Sequence, residues 1–145
     1  MKYAIIWLGL AVGIGCLVGS LNLPTFHRLA EKGVSEKATI VELLPKFHNT
    51  VRYEYQVAGE TYQGRMGSSR PNPPSEQLGI GQSVVIYYDP EHPQVSVLGD
   101  PKGMFYEETF AVMFAALMGS TFIVLRLAWI ERKRKKASSK AGFVA

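Results

Sequence analysis

Cysteine is almost missing from this chain: Cys16 is the one example in 145 residues. That excludes a disulfide framework. With no Cys-x-x-Cys pair and no Cys/His cluster, structural zinc has no ligand set either. Histidine occurs three times and tryptophan twice. No phosphate-binding Gly-x-x-x-x-Gly-Lys loop and no Gly-x-Ser-x-Gly nucleophile turn is present. Charge is also missing, but only locally. Asp, Glu, Lys and Arg are absent from Tyr3 to Leu23 and again from Thr109 to Leu125.

What is there begins with those two apolar runs. A helix over 3–23 would be roughly 31 Å long, enough for a bilayer core of about 30 Å. The second run extends to Ile130 and carries Arg126 and Trp129 near its end, a pair suited to the membrane interface. The first is longer than the apolar part of a usual signal peptide, so it is read as a retained span. Val18-Gly19-Ser20 keeps cleavage open as the alternative. Gly15-Cys16 lacks the Leu-like residue that lipidation would need at Gly13, and Cys16 is expected to be a small buried residue.

Charge sets the expected orientation. Residues 24–108 hold 8 Lys+Arg and 11 Asp+Glu, a net of −3, and the rest of the chain has a net of +7. Arg132, Lys133, Arg134, Lys135 and Lys136 form the densest basic run, directly after the second span. The positive-inside rule then puts both termini in the cytoplasm of a cell membrane and the intervening segment outside. The run is expected to meet anionic headgroups of the lipid bilayer rather than nucleic acid.

Small residues mark helix contacts in lipid. Ala11, Gly15 and Gly19 repeat every four residues in the first span, as do Ala111, Ala115 and Gly119 in the second. The spans are therefore expected to pack as an antiparallel hairpin. Gly9 and Gly13 lie on another face and offer a homodimer contact.

Between the spans the period changes to two. Val51, Tyr53, Tyr55 and Val57 alternate with polar residues, as in a half-buried strand. Ala58-Gly59 turns the chain into a partner strand over 61–65, so a hairpin is expected. Further strands are expected over 38–44, 83–88 and 95–98, the fourth buried on both faces because its run is continuously apolar. Arg70-Pro71-Asn72-Pro73-Pro74 contains three prolines without donors, cannot join a ladder easily and must be an exposed loop. The expected fold class is membrane α+β: two transmembrane helices flanking a small antiparallel β-sheet or open β-barrel. The expected boundaries are 1–23 (first span), 24–37 (juxtamembrane linker), 38–98 (extracytoplasmic β domain), 99–108 (linker), 109–130 (second span) and 131–145 (basic tail).

Tyr53-x-Tyr55-x-Val57-x-Gly59-x-x-Tyr62-x-Gly64, then Gly81-x-x-Val84-x-Ile86-x-Tyr88-Asp89-Pro90-x-x-Pro93 and Ser96-Val97-Leu98, resemble the DUF3592 family. The resemblance covers about 38–98. It implies a membrane protein, bacterial in origin, with a β domain between two spans. It supplies no catalytic residues. Ala58 departs from the Asp or Asn more usual before the turn glycine.

Chemistry is sparse. His48, His92, Asp89 and Glu91 are the polar candidates outside the spans, and Asp89 reads best as a cap for local backbone N–H groups. His27 reads as an interfacial residue. The tyrosines at strand spacing read as core. No catalytic, cofactor or metal set is expected. The candidate contact region is the loop with Arg65, Arg70, Pro71, Asn72, Pro73 and Pro74. The expected role is an interaction or sensing module, with another membrane or envelope protein as partner. The alternatives are a membrane-bound enzyme subunit or a purely structural, self-associating accessory.

Overall fold

The structure is a computed structural model and describes residues 1–46 and 49–141, with side chains to 134. His48 and the side chains of Lys135 and Lys136 lie outside the described residues. The order is α1 (Lys2–Lys32), β1 (Val34–Leu44), β2 (Thr50–Val57), β3 (Glu60–Met66), a short 3-10 turn (Ser75–Gln77), β4 (Ser83–Asp89), β5 (His92–Val97) and α2 (Pro101–Ala141). Two compact units result: Met1–Leu21 with Thr109–Ala145, and Asn22–Glu108.

The first unit is an antiparallel pair of helices, and both helices are long and apolar enough to cross a membrane. Glu131 accepts from Lys2 Nζ at 2.9 Å and from Tyr3 Oη at 2.6 Å, so the amino terminus meets the start of the basic tail. Trp7 Nε1 donates to Thr121 Oγ1 at 3.0 Å. A methyl group on Gly15 would lie 3.7 Å from Ala116 Cβ, and Gly19 is buried. The α1 ladder Ala11, Gly15, Gly19 is thus on the contact face. The α2 ladder is displaced by one residue: Val112, Ala116 and Ser120 are buried, while Ala111 and Ala115 are exposed. Val112 is too large to read as part of a small-residue ladder, yet it shares the i, i+4, i+8 row with Ala116 and Ser120. Gly119 is half-buried, with Ile14 Cδ1 3.4 Å from its would-be methyl group. Around Gly9 and Gly13 there is open space. Cys16 is exposed rather than buried, because it points away from the α2 contact row.

In the second unit α1 continues through the stretch expected as a linker. Pro24 sits inside the helix and removes the donor that the Ser20 carbonyl would otherwise use. The helix ends at Gly33, whose N–H donates to Leu29 O at 2.9 Å. Strand β1 then begins at once, four residues earlier than the alternation indicates, because Val34 to Lys37 pair with β4 while their side chains stay largely exposed. Likewise α2 begins at Pro101, ahead of the expected span. Asp100 caps it through Lys102 N at 3.0 Å and Gly103 N at 3.1 Å, and Pro101 takes the first helical position.

The sheet order is β3-β2-β1-β4-β5, with every pair antiparallel. Strand β1 serves two half-sheets. Residues 34–39 pair with β4 and 39–44 with β2, and a bulge at Val41 bends the strand between them. Beyond β3 and β5 the backbone bonds Ser69 N to Leu98 O (3.0 Å) and Asp100 N to Arg70 O (2.6 Å) draw the two edges together. The result is a nearly closed five-stranded barrel of the partly open Greek-key kind. Ala38, Ile40, Val51, Tyr53, Tyr55, Val84, Ile86 and Leu98 fill it. Gly64 lies opposite Tyr53, and a Cβ there would sit 2.2 Å from the Tyr53 ring, so only glycine leaves room for that side chain. On β4, Val84 and Ile86 point into the barrel. Tyr87, on the other face, packs against a second cluster of Leu29, Val97 and Met104. Both faces of β4 are therefore engaged, as its continuous apolar run indicates.

Candidate functional site

Two places gather the polar residues of the β unit. The first is the tight turn between β4 and β5. Asp89 is 1% exposed, yet it keeps its charge. Its Oδ1 accepts from Glu91 N at 3.0 Å, and its Oδ2 lies 2.9 Å from Arg28 Nε and 3.3 Å from His92 Nδ1. Burial pushes the carboxyl upward, but the Glu91 N–H and the Arg28 guanidinium outweigh it and hold the group below its usual value of 3.8. The cap to the backbone is the one the sequence indicates. Arg28 is not: it comes from the last turns of α1, and no short-range spacing links it to Asp89. The ligand-type atoms of Asp89, Glu91 and His92 lie within 4.8 Å of one another. Arg28 and Lys32, the latter 3.8 Å from Glu91, already supply positive charge there. The arrangement is a charge-compensated turn that ties α1 to the barrel.

The second place is a groove between the proline loop and the start of α2. Asn72 does for the loop what a strand would do. Its amide donates to Val85 O and accepts from Val85 N, both at 2.7 Å, so it pairs with the outer edge of β4 where β5 does not reach. Ser68 N donates to Ser75 Oγ at 2.8 Å, and Ser69 Oγ approaches Leu98 O at 3.3 Å. Gly99, at φ +115°, packs so closely that a methyl group would lie 2.3 Å from Ser69 Oγ. The loop is therefore fixed, with Pro71, Pro73 and Pro74 exposed on it.

The cavity measures about 790 Å³ and is lined by Ser68, Ser69, Arg70, Asn72, Pro74, Asp100, Gly103, Met104 and Glu107. Of the residues indicated by sequence, Arg70, Asn72 and Pro74 line it. Pro71 and Pro73 face outward, and Arg65 lies on β3 opposite Arg52. The α2 wall was not foreseen, because residues 99–108 read as a linker. Asp100-Pro101, an N-cap followed by proline at the first helical position, is the signal that marks the helix start.

At the other end of the chain, Arg126 Cζ and Lys133 Nζ lie 4.9 and 4.0 Å from the Trp129 ring centroid, so two cations share one indole. Arg132, Lys133 and Arg134 are exposed. His27 stacks edge-on against Phe105 at 5.4 Å.

Residues 36–103 match the family model described as a domain of unknown function, DUF3592. No curated protein and no solved structure matches the chain. The β unit is thus similar to the DUF3592 domain, and the match reaches into the first turn of α2.

Proposed function

We propose that this two-span protein displays its DUF3592 domain on the extracytoplasmic side of a cell membrane, where the domain serves as an interaction or sensing module. The observation that carries the reading is the proline loop. Three exposed prolines stand on a scaffold fixed by Asn72, Ser69 and Asp100, which lowers the ordering cost of a contact made there. The net charge of −3 between the apolar runs and the exposed basic residues in the last turns of α2 support the orientation. On this reading the module binds rather than catalyses. The β2–β3 outer face carries Arg52, Glu54, Gln63 and Arg65, a surface of mixed charge without an aromatic platform for bases.

The test is a photoreactive amino acid at Pro73 in intact cells. Discrete adducts from position 73, and none from position 94 on β5, are expected. Equal adduct patterns from both would remove the loop from the account. A second reading, self-association, is favoured by the open space around Gly9 and Gly13. Gly13→Ile should then abolish dimers crosslinked in membranes, and an unchanged oligomeric state would exclude it.

A further inference from the structure

We propose that the groove between the proline loop and α2 binds a phosphate ester carrying a primary ammonium group, the chemistry of an ethanolamine phospholipid headgroup. The inference rests on the two-span reading only for the lipid as its source. Its volume, about 790 Å³, falls within the range of about 300–1,000 Å³ usual for small-molecule sites.

The charges then choose the ligand. Arg70 and Glu107 both line the groove, both are exposed, and neither side chain has an ion pair or hydrogen bond among the described residues. Neighbouring carboxylates are engaged: Glu108 accepts from Asn22, and Asp100 spends both oxygens on the first N–H groups of α2. The helix terminus is thereby satisfied, so an anion in the groove must be held by Arg70. A simple anion would face Glu107 unpaired, and a simple cation would face Arg70. A zwitterion answers both.

A further donor is waiting. Ser68 Oγ is buried without a hydrogen-bond partner. A hydroxyl in that condition is costly, and a ligand oxygen would relieve it. Met104 and Pro74 supply apolar wall for the carbon chain between the charges. Placement favours a lipid as the source. Glu107 stands two residues, about 3 Å of helix rise, before the charge-free stretch that begins at Thr109. That is headgroup level for a helix that enters a bilayer there.

The test uses the full chain in detergent, with the Ser69 and Gly103 amide signals as reporters. Lyso-phosphatidylethanolamine, lyso-phosphatidylcholine and free phosphoethanolamine are titrated separately. Saturable shifts with the ethanolamine lipid are expected, weaker by roughly tenfold with choline, which has no N–H to give Glu107. Glu107→Gln should erase that preference, and Arg70→Gln should weaken both lipids by roughly tenfold. Equal response to free phosphoethanolamine would keep the site and make its source soluble. No saturable shift with any of the three, or an ethanolamine preference that survives Glu107→Gln, would overturn the proposal. The spans can fail separately, in a topology experiment that leaves these titrations unchanged.

Discussion

Arg28 and Asp89 form one ion pair with two very unequal ends, and the inequality can be measured. Asp89 is 1% exposed and Arg28 is 40% exposed. Replacing Arg28 with Met strands a buried carboxylate on one backbone N–H and His92, which costs about 3 kcal/mol, the lower end for breaking a buried pair. Replacing Asp89 with Asn removes the charge but leaves an arginine that can turn to water. The loss is then about 1.5 kcal/mol, that of one hydrogen bond to a charged group. For a domain of this size the two variants should melt lower by about 15 °C and about 8 °C, followed through the near-ultraviolet dichroism of the core tyrosines. The carboxyl is held below 3.8, so its stabilising effect is whole above that value and is lost as pH falls through the lowered one. In Arg28→Met the stranded acid takes up a proton more readily, so the gap between the variants should close on acidification. Equal losses at neutral pH, or a larger loss for Asp89→Asn, would refute the reasoning.

Further outcomes follow from the barrel and the hairpin. Gly64→Ala should cost about 1–3 kcal/mol in the same melt, because its methyl group meets the buried Tyr53 ring. Tyr53→Leu in the same chain should recover part of the loss. Ala58 holds a φ of +52° in the β2–β3 turn, so Ala58→Asn should raise the melting midpoint by a few degrees, about 0.5–1 kcal/mol. Burial pushes the Tyr53 hydroxyl up to about 12. Its contribution to stability should therefore hold below pH 10 and fall as pH rises from 10 towards 12, read by denaturant titration. In the hairpin, Gly15→Leu should split the helix pair, whereas Ala111→Leu should not, since Gly15 faces the other helix and Ala111 is exposed. Disulfide trapping between positions 7 and 121 would tell them apart.

Much of this fold was legible because its signals are local. Alternation at 51, 53, 55 and 57 places β2, and Val57↔Glu60 pairing across Ala58-Gly59 follows from the two-residue turn. The limits of β1 and α2 were less legible. Val34 to Lys37 form a strand through backbone pairing to β4 with little side-chain burial, and alternation reads burial only. The helical contact row was missed by one position because Val112 and Ser120 are not glycine or alanine. The groove was half legible. Its proline wall announces itself, but the opposite wall comes from residues 100–107, and the barrel closure that joins them is a long-range event. Arg28 with Asp89 is the same kind of pair: two residues far apart in the chain, neither unusual alone.

The two-span arrangement with an external domain is tested most directly by cysteine labelling of intact cells. Cys16, being exposed, is first replaced by Ala. Single cysteines are then placed at Gln77, exposed on the 3-10 turn, and at Ser139 in the tail. An impermeant maleimide should label position 77 at once and position 139 only after permeabilisation. Labelling of 139 with protection of 77 would contradict the account and put the β unit in the cytoplasm.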